Sequence, residues 1–160
     1  MRIRKCKYKN KKMEIEYEKK NAAGGYDYFT MVCEDEPRPE YERAIEKLNP
    51  FVTELCELPG ELNSRITVRS VSFSFCGDAG IMGAVLSATM TLKKSNGVLM
   101  LNTPHKPSAH YNPMPMASGD DSALLPDRCV DILKTLQEEC AKYVEGDRAQ
   151  GDMFKGKAKK

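Results

Sequence analysis

The sequence predicts an α+β fold, namely a single domain in which one antiparallel sheet carries its helices on one face. Two groups of three short segments alternate between apolar and polar residues, and a segment with helical periodicity follows each group. The chain of 160 residues is 41% hydrophobic and 30% charged, which suits one ordinary core. Two β-β-β-α halves would share the sheet, although their sequences show no clear repeat.

The first half opens with two alternating segments, from Ile3 to Tyr8 and from Met13 to Tyr17, which predict half-buried strands. Lys9–Lys12 suits a hairpin connection between them. Asn21–Gly25 suits the next turn, because glycine adopts positive φ angles without steric cost. A third strand is predicted from about Tyr26 to Cys33.

A helix is predicted after the acidic segment Glu34–Pro39, because proline ends a strand and fits the first turn of a helix. Pro50 interrupts the helical hydrogen bonds, so we expect either a kink or a break at Asn49 into two shorter helices. The apolar stripe of this segment comprises Tyr41, Ala44, Ile45, Leu48, Val52, Leu55 and Cys56.

The second half repeats the order of three strands and a helix. Ile66 to Phe75 alternates, but its two ends face the same side only if a bulge lies near Arg69-Ser70. The next strand is predicted from Val85 to Lys93, and Val98 to Asn102 would return beside it. Asn96-Gly97 between them predicts a type I′ turn, which requires positive φ angles.

An irregular segment and a closing helix complete the predicted domain. His105 to Gly119 is rich in proline and methionine, which indicates a loop. Asp121 or Ser122 is the expected cap of the closing helix, and Gly146 its terminator. The apolar stripe of this helix comprises Leu125, Cys129, Ile132, Leu133, Leu136, Cys140 and Tyr143.

The formal net charge is only +2, but basic residues are concentrated at the two ends of the chain. A basic cluster attracts phosphate at low salt, and interleaved aromatic rings can stack on bases, so single-stranded DNA is a candidate partner. Lysines on an edge strand also prevent aggregation between sheets, and aromatic residues also form cores, so both interpretations stay open. The basic candidates are Arg2, Arg4, Lys5, Lys7, Lys9, Lys11 and Lys12, and the aromatic ones are Tyr8, Tyr17, Tyr26, Tyr28 and Phe29.

Residues suited to catalysis form no recognisable arrangement, so we predict no catalytic residue, no metal and no cofactor. The six cysteines include no Cys-x-x-Cys pair and fall mostly on apolar faces, which is typical of reduced, buried thiols. His105 and His110, with Asp120 or Asp121, leave a metal-assisted hydrolase as an alternative. Gly77–Gly83 is glycine-rich, but a strand rather than a helix follows it, which favours a hairpin connection over a phosphate-binding loop.

Residues 147–160 are expected to form a flexible basic tail behind a domain that spans residues 1–146. Within this tail, Gln150-Gly151-Asp152-Met153-Phe154 resembles the pentapeptides with which many bacterial and phage proteins of DNA metabolism bind the replication sliding clamp. Glutamine leads those peptides and a Leu or Met followed by Phe ends them, whereas Gly151 stands where Leu is more usual. The resemblance implies that Gln150, Asp152, Met153 and Phe154 bind a sliding clamp; the alternative is a solubilising tail.

The whole chain is similar to small uncharacterised proteins that accompany recombination and replication genes in tailed phages and prophages. The similarity rests on a strand hairpin, the segment Glu34–Glu40, a helix, a serine-rich strand, the segment Leu92–Pro104 and a closing helix. It implies a non-enzymatic accessory protein of phage or prophage DNA replication or recombination. A protein-interaction module that inhibits or recruits a host protein through His105–Met116 is an alternative.

The chain has no apolar run near the roughly 20 residues that a membrane span needs. We therefore expect a cytoplasmic protein with no membrane partner. The sequence does not predict its oligomeric state.

Overall fold

The computed structural model describes residues 1–110 and 121–149 and confirms the α+β prediction. A mostly six-stranded antiparallel sheet, extended by a short seventh strand, packs against three helices. The strands are β1 (Arg2–Lys9), β2 (Lys12–Lys20), β3 (Tyr26–Cys33), β4 (Ile66–Cys76), β5 (Ile81–Thr91), β6 (Val98–Asn102) and β7 (Lys106–Pro107). The helices are α1 (Pro39–Lys47), α2 (Asn49–Leu55) and α3 (Asp127–Val144), and short 3-10 turns cover Gly60–Arg65 and Asp121–Ala123.

The strand order is β3-β2-β1-β4-β5-β6, with β7 also paired to β5. Two meanders therefore meet where β1 pairs with β4, at Lys5–Lys7 and Ser70–Ser72. The lysine-rich strand β1 is central, which corrects the prediction that its lysines protect a free edge. A charged strand can be central here because one face of the antiparallel sheet remains open to water.

All three helices cover the same face of the sheet and form the core with it. α1 and α2 contact β4, α3 contacts β1, and α1 packs on α3. The apolar stripe of α3 supplies side chains with no exposed surface, among them Leu133, Leu136 and Cys140. From the sheet, Cys6, Ile15, Val71 and Leu86 point into the same core.

The predicted bulge in β4 is confirmed, because the register with β5 shifts between Val68 and Ser70. The predicted division into two shorter helices is also confirmed, although the break falls at Leu48, one residue before the predicted Asn49. The two features are linked, because the Val68 backbone N–H donates a 2.8 Å hydrogen bond to Oδ1 of Asn49. A backbone donor displaced by the bulge is thus satisfied by the helix break.

The loop before β6 differs from the predicted two-residue turn. The Leu92 backbone N–H donates to the Gly97 carbonyl oxygen at 2.9 Å, so a wider loop joins β5 to β6. Asn96 does adopt a positive φ of 55°. β5 also begins earlier than predicted, at Ile81, because the turn that precedes it is complete at Gly80.

Two further predictions about the second half are wrong in detail. The predicted irregular segment contains the short strand β7, which pairs with β5 at Gly83 and Ala84. Neither Asp121 nor Ser122 caps the closing helix, because α3 begins at Asp127 with Pro126 at its N-cap. Within residues 1–110 and 121–149, no helix is both long and apolar enough to cross a membrane.

Candidate functional site

The chain that leaves α3 turns back onto the domain before the predicted partner peptide begins. Gly146 has a φ of +112°, a conformation that glycine adopts easily, and so ends the helix as predicted. The Asp147 backbone N–H donates to the Lys142 carbonyl oxygen at 2.8 Å. This turn directs Arg148 toward the segment between β3 and α1.

Arg148 is held by three kinds of contact. Its Nη1 lies 2.5 Å from Oδ2 of Asp35, a charge-assisted hydrogen bond. Its Nε and Nη2 both donate to the Tyr143 carbonyl oxygen at 3.2 Å. The guanidinium also lies 4.0 Å from the centre of the Tyr143 ring, a cation–π distance. A flexible side chain is therefore fixed in one orientation.

Tyr143 connects this arginine to the core. Its side chain is buried, and its hydroxyl donates a 2.6 Å hydrogen bond to the Asp35 carbonyl oxygen. Burial raises the pKa of Tyr143 to about 12, although the neighbouring Arg148 charge acts in the opposite direction. The Ala149 backbone N–H donates to the Glu36 carbonyl oxygen at 3.0 Å. We call Asp35, Glu36, Tyr143, Arg148 and Ala149 the C-terminal clasp.

The predicted partner residues Gln150, Asp152, Met153 and Phe154 lie outside the described residues, which end at Ala149. The first three residues of the predicted tail, 147–149, lie against the domain. The clasp thus sets the point from which the peptide Gln150–Phe154 starts, beside the acidic segment between β3 and α1.

Two of the predicted DNA-binding residues, Arg2 and Arg4, surround a buried carboxylate. Glu18 has 2% of its side chain exposed, and its oxygens lie 3.5 Å from Arg2 Nη1 and 3.8 Å from Arg4 Nη1. The Arg2 guanidinium also lies 4.8 Å from the centre of the Tyr26 ring and 4.9 Å from that of Phe75. These contacts give both arginines a structural role, because a buried carboxylate needs its partner charges.

Lys5 and Lys7, the next two predicted residues, face carboxylates across the β1–β2 pair. Lys5 Nζ lies 4.0 Å from Glu16 Oε2, and Lys7 Nζ lies 4.0 Å from Glu14 Oε2. About half of each glutamate side chain is exposed, so water also screens these pairs. The glutamates nevertheless balance the positive charge of β1 on the open face of the sheet.

Lys9, Lys11 and Lys12 lie at the tip of the β1–β2 hairpin, where Lys9 ends β1, Lys12 begins β2 and Lys11 is in the turn, and all three are exposed. Asn10 and Lys11 have φ angles of 54° and 60°, the pair of positive values that a type I′ turn requires. Within the part of the chain that the structure describes, these three lysines make no ion pair. The structure therefore divides the predicted basic set into a paired strand and an unpaired hairpin tip.

The aromatic candidates divide in the same way. Tyr28 has 71% of its surface exposed on the edge strand β3. Phe29 stacks on Tyr17 with the ring centres 5.2 Å apart and the planes 16° apart, and Tyr8 packs against the core. Of this set, Tyr28 is thus the one whose ring is most open to a ligand.

The histidines of the alternative hydrolase are not assembled into a metal site among the described residues. His105 Nε2 lies 2.7 Å from Ser74 Oγ, close above Gly83 on the open face. No group of three or more His, Cys, Asp or Glu side chains with metal-binding geometry occurs within residues 1–110 and 121–149. Asp120 lies outside those residues, and Asp121 belongs to a short 3-10 turn.

Three of the six cysteines, Cys6, Cys129 and Cys140, are buried, and Cys76 is exposed. Burial raises the pKa of Cys129 to about 12, and burial also raises the pKa of Cys140 well above its ordinary value. Both thiols therefore stay protonated at neutral pH and pack as small apolar side chains. Cys76 lies exposed at the end of β4.

The chain matches no protein-family model, no curated protein and no solved structure. The C-terminal clasp was not predicted from the sequence. Only two features of the sequence relate to the clasp, namely an acidic segment between a strand and a helix, and one arginine two residues after the glycine that ends the last helix. Their meeting depends on the packing of α3 across the sheet.

Proposed function

We propose that this chain is a non-enzymatic accessory protein of phage or prophage DNA replication or recombination that binds a sliding clamp through Gln150–Phe154. The supporting observation is the C-terminal clasp, in which Arg148 and Ala149 are fixed immediately before the peptide. A peptide that starts from a fixed point is restricted in the positions it can reach, so a bound clamp would be held near the β3–α1 side of the domain.

The chemistry of the peptide suits a hydrophobic pocket. Met153 and Phe154 supply an adaptable thioether and an aromatic ring, the side chains that dominate many interfaces. Gln150 carries an amide that can donate and accept at the rim of such a pocket. Lys155 and Lys157 follow directly and would favour the encounter with an acidic partner.

Clamp binding is tested by titrating the full chain into a purified bacterial sliding clamp in a calorimeter. Replacing two anchor residues at once, Met153→Ala with Phe154→Ala, is expected to weaken binding roughly a thousandfold, since two hot-spot side chains at about 2 kcal/mol each contribute about 4 kcal/mol. The matched control, Lys155→Ala with Lys157→Ala, keeps the anchors and should weaken binding only slightly at physiological salt. No binding by the unmodified chain, or equal losses in the two variants, would contradict the proposal.

Weak binding of single-stranded DNA is the second part of the proposal, and the hairpin tip supports it. Lys9, Lys11 and Lys12 are exposed and lack carboxylate partners among the described residues, whereas Lys5 and Lys7 face glutamates. A lysine that already faces a carboxylate of the protein gains little from a phosphate contact. Counterion release on DNA binding is therefore expected from lysines without such a partner. The hairpin tip is therefore the part of the basic set from which we expect DNA contacts.

DNA binding is measured with a labelled oligothymidylate over a series of salt concentrations. Changing Lys9, Lys11 and Lys12 to Gln is expected to reduce the slope of log K against log salt by about 2, because each lost phosphate contact removes about 0.7. Changing Lys5 and Lys7 to Gln should alter the slope much less. A salt-independent affinity, or a larger effect from the Lys5 and Lys7 changes, would show that the hairpin tip is not the contact.

A further inference from the structure

The strand β6 forms one edge of the sheet and leaves half of its backbone groups without a strand partner. The Thr103 N–H donates to the Leu86 carbonyl oxygen, and the Leu92 N–H donates to the Gly97 carbonyl oxygen, both at 2.9 Å. Residues of an antiparallel strand alternate in the direction of their N–H and C=O groups. The odd-numbered residues of β6 therefore bond to β5, while Val98, Met100 and Asn102 direct theirs away from β5. Of these outward groups, the Asn102 carbonyl oxygen accepts from Cys56 Sγ at 3.9 Å.

The side chains of this edge are apolar on both faces. Val98, Leu99 and Met100 are all exposed, Met100 to 67% of its surface. The segment from Ser95 to Pro104 contains no charged residue. Strand edges in native proteins usually carry charges, prolines or bulges that prevent pairing with another chain, and β6 carries none of these within Val98–Asn102.

The opposite edge, β3, has the protection that β6 lacks. It also exposes apolar side chains, including Tyr28 and Val32, but Asp27 lies within the strand and Glu34, Asp35 and Glu36 follow it. Pairing β3 with its own copy would bring acidic groups together. The acidic residues therefore oppose self-association through β3, whereas no charge opposes it through β6.

We infer that a second copy of this chain pairs its β6 antiparallel to β6 of the first, about a two-fold axis at Met100. In this register Leu99 lies opposite Leu101 of the second copy, and Val98 lies opposite Asn102 of the second copy. The Met100 pair and the outward N–H groups of Asn102 form roughly four backbone hydrogen bonds, while the Asn102 carbonyl oxygen keeps its contact with Cys56 Sγ, and the two sheets become one continuous sheet. An isologous contact of this kind closes on itself and stops at a dimer.

A second copy fits this edge better than a foreign strand because Leu99 and Leu101 are placed symmetrically about Met100. The leucines on either side meet each other across the axis, on the face where Leu101 already packs against the core. No cation or anion on the strand requires a complementary charge from a different partner.

Sedimentation velocity of the full chain over a range of concentrations tests the dimer. The unmodified chain is expected to show twice the monomer mass, and Met100→Lys, which places two like charges at the axis, should raise the dimer dissociation constant at least tenfold. Val32→Lys on β3 is the matched control, because Val32 is similarly exposed at 56%, and it should leave the constant unchanged. Thermal melts followed by circular dichroism confirm that both variants are folded. A monomeric unmodified chain, or equal effects of the two lysines, overturns the inference.

The register is tested by disulfide cross-linking in a background with Cys56→Ser and Cys76→Ser, which removes the thiol beside the Asn102 carbonyl oxygen and the exposed native thiol. Met100→Cys places two sulfur-bearing residues opposite each other with Cα atoms about 5.5 Å apart, within disulfide range. Val98→Cys is the control, because two copies of residue 98 would be about 14 Å apart along the strands. A covalent dimer with Met100→Cys and none with Val98→Cys is expected. The reverse result, or no cross-link in either variant, overturns the pairing at Met100.

Discussion

Replacing Tyr143 by alanine is expected to lower the free energy of unfolding by about 3–5 kcal/mol, the range for removing a large aromatic side chain from a core. Tyr143 is 1% exposed, so the change leaves a cavity beneath the end of α3. It also removes the ring on which Arg148 lies and the hydroxyl that bonds to Asp35. Urea unfolding at neutral pH gives the free energy, and amide exchange at Ala149 reports whether the C-terminal clasp has opened.

Tyr143→Phe is the matched control, because it removes the hydroxyl and keeps the ring. Its expected cost is about 1 kcal/mol, the usual contribution of one hydrogen bond, and Arg148 should stay in place over the ring. If Tyr143→Ala lowers stability no more than Tyr143→Phe does, the ring is not part of the core as described. If exchange at Ala149 is unchanged in the alanine variant, Tyr143 does not hold the clasp.

The double variant Arg2→Ala with Arg4→Ala is expected to lose about 3 kcal/mol of stability, because it leaves Glu18 buried without a partner charge. The loss is again measured by urea unfolding. Adding Glu18→Gln replaces the unpaired buried carboxylate with a neutral amide, so the triple variant should recover part of the lost stability.

Lys5→Ala with Lys7→Ala is the control for this prediction, since it removes the same number of charges from the same strand. Its partners Glu16 and Glu14 are about half exposed, so the expected loss is less than about 1 kcal/mol. Equal losses from the arginine pair and the lysine pair would mean that burial of Glu18 does not matter. The comparison also separates structural basic residues from those free to meet a phosphate.

The elements of the fold were predictable from local sequence, and their arrangement was less so. Alternation located the six main strands, Pro50 located the break between α1 and α2, and the phase change near Arg69 located the bulge in β4. Alternation states which side chains share a face, but it does not state which strands are neighbours. The central position of β1 was missed because its lysines suit an edge equally well.

From the sequence, candidate binding residues could be predicted only at the two ends of the chain. The peptide Gln150–Phe154 and the basic N-terminal set are visible as composition, whereas the contacts that give them context join distant parts of the chain. Asp35 and Arg148 meet only because α3 crosses the sheet, and Glu18 selects Arg2 and Arg4 only because a bulge in β1 brings both to the same carboxylate. Such pairings depend on tertiary packing, which no residue pattern in either segment encodes.

The junction between the two meanders also bears on how the chain folds. Every other pairing among the six main strands joins neighbours along the sequence through a turn, so each can form locally. The β1–β4 pairing joins Cys6 to Val71, about 65 positions apart, through a short register. Closing so long a loop costs chain entropy before any hydrogen bond is gained. We therefore expect the β1–β4 pairing to form late in folding and to be the first pairing of the sheet to open.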